Sequence, residues 1–136
     1  MKHLLLSIII LGVTTSCTSH ESTSKNTTIM NNTAFENFSG IDVKNFINLY
    51  ETSEYTLIDI RTLEEINKGK IKNTALEIDF YAETFKNDIN SLDKSKKYLV
   101  YCRSGNRSGK TMSLMKELNF ENAYHLSGGI MAYENQ

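Results

Sequence analysis

The chain has 136 residues, 40% of them hydrophobic and 23% charged, which suits one compact domain with one core. Its 15 Lys and Arg nearly balance 16 Asp and Glu for a formal charge of -1, so no broad positive field marks nucleic acid as a partner, and any anion site must be local. Two cysteines, Cys17 and Cys102, stand far apart without CxxC spacing or a His cluster, which argues against a disulfide scaffold and a zinc site.

Met1-Lys2-His3 is a short basic start, and the apolar run from Leu4 to Val13, broken only by Ser7 and Gly12, completes the layout of a signal peptide over residues 1–16. The run is well short of the ~20 residues that a spanning helix needs. Thr14-Thr15-Ser16 follow, and a small residue directly before Cys17 resembles the end of a bacterial lipoprotein signal. That resemblance implies a lipid on Cys17 as the first mature residue. The domain would then be exported to the cell envelope, anchored to a membrane and facing the periplasm or the exterior. Ordinary secretory cleavage is the alternative, and Thr14 departs from the apolar residue that such signals usually carry there. Residues 17–34, mostly Ser, Thr and Asn, bury too little surface to order themselves and read as a tether, which leaves the folded domain at 35–136.

Within that domain, Ser39 or Gly40 is expected to cap a helix from about Ile41 to Glu51, with Ile41, Phe46, Ile47 and Tyr50 on one face. Thr56 to Ile60 reads as a strand and Leu63 to Lys68 as a helix ended by Gly69. Strand Ala75 to Asp79, helix Tyr81 to Leu92, strand Tyr98 to Tyr101, helix Ser108 to Leu118 and strand Ala123 to Leu126 follow, with a short helix after Gly129. This alternation predicts an α/β fold, an open parallel sheet with helices on both faces. In such sheets ligands bind beyond the carboxyl ends of the strands, which directs attention to Asp59–Arg61 and Cys102–Ser108.

The second of these segments carries the chemistry. Cys102 ends an apolar strand and is followed by Arg103, Ser104, Gly105, Asn106, Arg107 and Ser108, a polar loop that leads into a helix. Curling backbone N–H groups, the positive end of the helix and the two arginines would all favour a thiolate over its usual pKa of about 8.5. The same cradle would hold an anion bound to the sulfur. A merely structural buried cysteine is the alternative, but two arginines, two serines and a glycine make poor apolar surroundings. Cys102 has no nearby partner for disulfide exchange, whereas a persulfide, Cys–S–S⁻, needs no second cysteine.

The loop CRSGNRS resembles the active-site loop of the rhodanese family, and two further motifs agree with it. Leu57-Ile-Asp-Ile-Arg-Thr-Leu-Glu-Glu65 is similar to the family's strand and turn, and Leu126-Ser-Gly-Gly-Ile-Met-Ala-Tyr133 to its closing glycine pair and helix. The resemblance implies a rhodanese-like fold and Cys102 as a sulfur-carrying nucleophile. Residues Arg103 to Ser108 would bind the substrate, and Asp59 and Arg61 would have structural roles beside the site. The implied reaction is sulfur transfer from thiosulfate or a related small anion to a thiol or cyanide acceptor, without metal or organic cofactor. Lys70, Lys72, Leu63 and Tyr133 depart from the family pattern. The two lysines read more simply as solvated surface residues than as determinants of specificity.

Three rivals remain. Gly105 to Thr111 ends like a nucleotide-binding loop, but only three residues separate its glycines where four are needed. A cysteine phosphatase or arsenate reductase would use the same thiolate and amide cradle, yet four residues rather than the phosphatases' five lie between Cys102 and Arg107. A binding module without catalysis is the third, set against an intact Cys102. His125, at a strand end, reads as a packed or exposed residue rather than a base.

Overall fold

A computed structural model describes residues 35–136. The expected signal peptide, Cys17 and the tether lie outside the described residues. The strands are β1 (Gly40–Ile41), β2 (Tyr55–Asp59), β3 (Leu76–Glu77), β4 (Lys97–Tyr101) and β5 (Asn122–Leu126), and the helices are α1 (Val43–Glu51), α2 (Leu63–Ile66), α3 (Phe85–Asn90), α4 (Asn106–Glu117) and α5 (Gly129–Glu134). All five strands pair in parallel in the order β1-β5-β4-β2-β3. This is the expected open sheet.

Successive side chains of a strand point to opposite faces, and both faces of this sheet are covered. Ile58, Tyr98, Val100 and Ala123 pack under α3 and α4 with Phe85, Ile89, Met112 and Met115. Leu57, Leu99, Tyr101, Tyr124 and Leu126 pack on the other face with Phe46 of α1 and Ile130 of α5. Each of the larger aliphatic side chains and the phenylalanines among them contributes about 1.5–3 kcal/mol on leaving water. Burial on both sides explains why β4 reads as an unbroken apolar run, and that run aims Cys102 out of the sheet's carboxyl edge.

Several boundaries differ from expectation, and α2 ends at Ile66 rather than Lys68. Gly40–Ile41 is a strand on β5 rather than a helix start, and Asp42 caps α1 instead of Ser39 or Gly40, its carboxylate accepting the Asn45 N–H at 2.8 Å. Helix α3 begins at Phe85, because Asp79 turns the preceding chain: its side chain accepts the Tyr81 N–H at 2.9 Å and its carbonyl the Ala82 N–H at 3.1 Å. Strand β3 is confined to two residues at the sheet edge, paired only with Ile58 and Asp59. Helix α4 begins at Asn106, two residues before the expected Ser108, so the stretch that mimicked a nucleotide loop is helical from Asn106 onward.

Candidate active site

The site forms where β2, β4 and β5 end and the chain turns into α2, α4 and α5. Asp59, the last residue of β2, is fully buried. Its carboxylate accepts the Arg61 backbone N–H at 3.0 Å, Nε at 2.9 Å and Nη2 at 2.7 Å. Arg61 directs two further donors to the Glu65 carbonyl at 3.3 Å and the Gly69 carbonyl at 2.8 Å, and its guanidinium lies over the Tyr101 ring. An ion pair so far from water holds geometry more than it adds stability. Here it ties the chain that enters α2 to the carbonyls at and beyond the helix's C-terminal end.

Glu65 is thereby placed to face the cysteine loop. Its carboxylate accepts the Thr62 N–H at 3.1 Å, completing a capping box, and grips Arg107 through two bonds of 2.6 and 2.8 Å. Tyr81 covers the Arg107 guanidinium from the other side, 5.4 Å from ring centre to Cζ. The bonds from Arg107 lower the Glu65 pKa to about 2 against the opposing effect of burial, with Thr62 adding to them. A carboxylate depressed in this way stabilises the fold above its unfolded pKa of about 4.3, and the contribution is lost as pH falls from there through about 2. Glu65→Gln is therefore expected to lower stability at pH 7 by about 1–2 kcal/mol. That is less than the roughly 3 kcal/mol of the full displacement, because the pair borders solvent. Urea unfolding at pH 7 and pH 3 checks this: the gap between wild type and variant should narrow at the lower pH, and an equal gap at both would remove the ion pair from the cause.

Cys102 follows β4 and is fully buried. Its sulfur accepts the Gly105 N–H at 3.1 Å and lies 3.5 Å from the Ser108 hydroxyl. Burial alone would raise the thiol's pKa. The Ser108 hydroxyl and the backbone amides of Ser108, Ser104 and Gly105 overcome it and bring the value below that of a free thiol. Of the groups expected to favour the thiolate, the hydroxyl and amides lead, and Arg107 adds a Coulombic attraction to it. Arg107 is engaged by Glu65, whereas Arg103 is exposed and has no ion-pair partner among the described residues. Ser104 and Asn106 are exposed on the same rim, and Arg103, Ser104, Asn106 and Arg107 line a shallow depression with Glu65 and Tyr81.

Helix α5 closes the loop from behind. Its Ile130 N–H donates to the Cys102 carbonyl at 2.8 Å and its Met131 N–H to the Arg103 carbonyl at 3.2 Å. The approach is close enough that Gly105, which caps α4 at φ +91°, leaves only 3.0 Å between a Cβ built on it and the Gly128 nitrogen. Among the described residues, no three His, Cys, Asp or Glu side chains come together as a metal site.

The sequence pattern of the Rhodanese-like domain family matches residues 42–136, the whole span that builds this loop and its supports. The chain belongs to that family. A rhodanese-related protein from Thermoplasma volcanium has 28% identity and a TM-score of 0.60, covering 71% of this chain and 91% of its own. A Rhodanese-like domain protein from Staphylococcus aureus gives 29% and 0.60, with 70% and 90% covered. The human single-domain sulfurtransferase TSTD1, at 16% identity and TM-score 0.60, shares the fold over 71% of this chain and 96% of its own. Among curated sequences, a tRNA uridine(34) hydroxylase of Ehrlichia ruminantium is 37% identical over 98 residues, 68% of this chain. The match spans only 36% of that relative's length.

In this Rhodanese-like domain, Cys102, Gly105 and Ser108 come together as the sequence led one to expect, with Arg103, Ser104 and Asn106 at the mouth and Asp59 and Arg61 as a buried support. Lys70 pairs with Glu77 at 2.6 Å and Lys72 lies over Tyr50. Glu65, Tyr81 and His125 were missed as members of the site. His125 Nδ1 lies 3.2 Å from the Ser108 hydroxyl, and burial lowers the ring's pKa. The Glu65–Thr62 capping box was open to recognition from its spacing, but nothing local ties Glu65 to Arg107, 42 positions on, or His125 to Ser108, 17 positions back.

Proposed function

We propose that this Rhodanese-like domain is a sulfurtransferase that carries sulfane sulfur as a persulfide on Cys102. The observation that supports it best is a thiol buried at a strand end yet held by a hydroxyl and backbone amides, an environment built for a sulfur anion. In the first step the Cys102 thiolate attacks the outer sulfur of thiosulfate. A sulfur–sulfur bond forms to Cys102, the donor's own breaks, and its electron pair leaves on sulfite. In the second step a thiolate or cyanide attacks the outer sulfur of the persulfide and the Cys102 thiolate departs. Because Cys102 has no exposed surface, the end of a small donor suits the site better than a bulky tetrahedral centre does, which disfavours the phosphatase or arsenate reductase alternative.

The hydroxylase activity named for the curated relatives is not carried over, since the match covers about a third of them and the near-balanced charge offers no field for a polyanion. The proposal includes export and a lipid on Cys17, which rest on the signal-like start of the sequence. Steady-state turnover of thiosulfate with cyanide, read as thiocyanate, tests the chemistry. Arg103 is the rim cation left free to meet the donor, so Arg103→Ala should raise KM for thiosulfate several-fold, roughly the loss of one charge-assisted hydrogen bond, with a smaller change in kcat. An unchanged KM would place the donor elsewhere.

A further inference from the structure

The contact between Ser108 and His125 raises a question of proton supply. The Ser108 hydroxyl has one proton and three neighbours: the Cys102 sulfur at 3.5 Å, the Gly105 carbonyl at 3.2 Å and His125 Nδ1 at 3.2 Å. The Gly105 carbonyl already accepts the Gly109 N–H at 2.9 Å, so it offers the hydroxyl only its second lone pair. If Nδ1 were bare, it would compete for the hydroxyl proton and turn an oxygen lone pair toward the sulfur. If Nδ1 carries the proton, it donates to the oxygen and releases the hydroxyl proton to the sulfur.

The ring is held so that it can play this part. It is slotted between Gly40 of β1 and Gly109 of α4: a Cβ on Gly40 would fall 2.9 Å from Nε2, and one on Gly109 would fall 3.6 Å from Cε1. No charged side chain is hydrogen-bonded to the ring among the described residues; desolvation, the larger effect, favours its neutral form, and a hydrogen bond to the Leu126 backbone partly opposes it. A neutral ring has one proton to place.

We propose that His125 is a positioning residue for the sulfur chemistry: in its Nδ1–H form it donates to Ser108 and so directs the Ser108 hydroxyl proton onto the Cys102 sulfur. The inference deepens the sulfurtransferase reading and rests on Cys102 being its reactive thiol. The hydroxyl stabilises the thiolate both as attacking group and as the group that departs when the persulfide is discharged.

The test is the pH profile of Cys102 alkylation by iodoacetamide in the full chain, followed on the Cys102 peptide. The midpoint reports the thiol's ionisation independently of access. Ser108→Ala and His125→Phe should each raise it by about one unit, with little added in the double variant. His125→Asn, whose amide N–H can stand near the place of Nδ1–H, should restore most of the shift. A wild-type midpoint in His125→Phe, or additive shifts in the double variant, would overturn the proposal. Nitrogen-15 shifts of His125 in the unaltered protein give a check that needs no variant: a protonated Nδ1 is required, and a bare one overturns it. Neither readout uses a sulfur donor, so failure of sulfur transfer itself would be seen separately.

Discussion

Cys102→Ser is expected to abolish sulfur transfer, with thiocyanate formation falling by on the order of a thousandfold or more to background, because a serine oxygen neither ionises near neutral pH nor holds a sulfane sulfur. The fold should survive. Serine is close in size to cysteine and offers an acceptor to the Gly105 N–H that now meets the sulfur at 3.1 Å, so stability should stay within about 1 kcal/mol of wild type. Thermal melting alongside the turnover assay separates the two effects. Residual turnover at the wild-type rate would remove Cys102 from the mechanism, whereas loss of turnover together with loss of the fold would say nothing specific about the sulfur.

Gly129→Ala is expected to have the largest effect on stability of any single methyl added to the site. Gly129 adopts φ +61°, and a Cβ there would lie 2.5 Å from both the carbonyl carbon and the carbonyl oxygen of Arg103 and against the Cys102 carbonyl oxygen. These are backbone atoms held by the α5 amides, so they have no rotamer by which to withdraw. Relief requires α5 to lift off the loop, at a cost of roughly 3–5 kcal/mol and with the two bonds that fix the Cys102 and Arg103 carbonyls lost. Melting temperature should drop by more than about 10 °C. Gly109→Ala is the control of opposite sign. It lies inside α4, its added methyl meets only the His125 ring at an ordinary 3.6 Å, and helix propensity should add about 0.5–1 kcal/mol. Equal melting temperatures for the two variants would mean that α5 is not clamped on the loop as described.

The parts of this structure that were legible in the sequence are those written locally. The run Tyr98–Tyr101 announces a strand buried on both faces, and the change to a polar, glycine-containing loop and then to helical spacing locates Cys102 at a carboxyl edge. The end of β2 was located for the same reason, which put Asp59 and Arg61 beside the site, but their ion pair was not foreseen. Strand β1 was not, because two residues carry no periodicity and Gly40–Ile41 is a strand only through its pairing with His125 and Leu126. Asp42 outcompeted Ser39 and Gly40 as the cap once that pairing claimed the residues before it.

The missed members of the site share one cause. Glu65 and Tyr81 come from two different crossovers and His125 from strand β5, and only the assembled sheet sets them around the cysteine loop. Two arginines beside a cysteine suggested a thiolate held by positive charge. The structure divides their labour: Arg107 ties the loop to α2 through Glu65 while still attracting the thiolate, Arg103 stays at the mouth, and the Ser108 hydroxyl and the loop amides hold the sulfur directly. Charge in the sequence could not reveal that division, since a salt bridge across the fold leaves no local pattern.

The most direct measurement uses the Cys17→Ser chain, in which Cys102 is the sole cysteine. Its intact mass is recorded before and after thiosulfate, and again after cyanide. A gain of one sulfur atom with thiosulfate, reversed by cyanide as thiocyanate appears, is the expected result and would establish Cys102 as a sulfur carrier. No gain from thiosulfate or polysulfide, with turnover of an aryl phosphate or arsenate instead, would contradict sulfur transfer and give the site to the phosphatase-like chemistry; no reaction with any of them would leave a binding module.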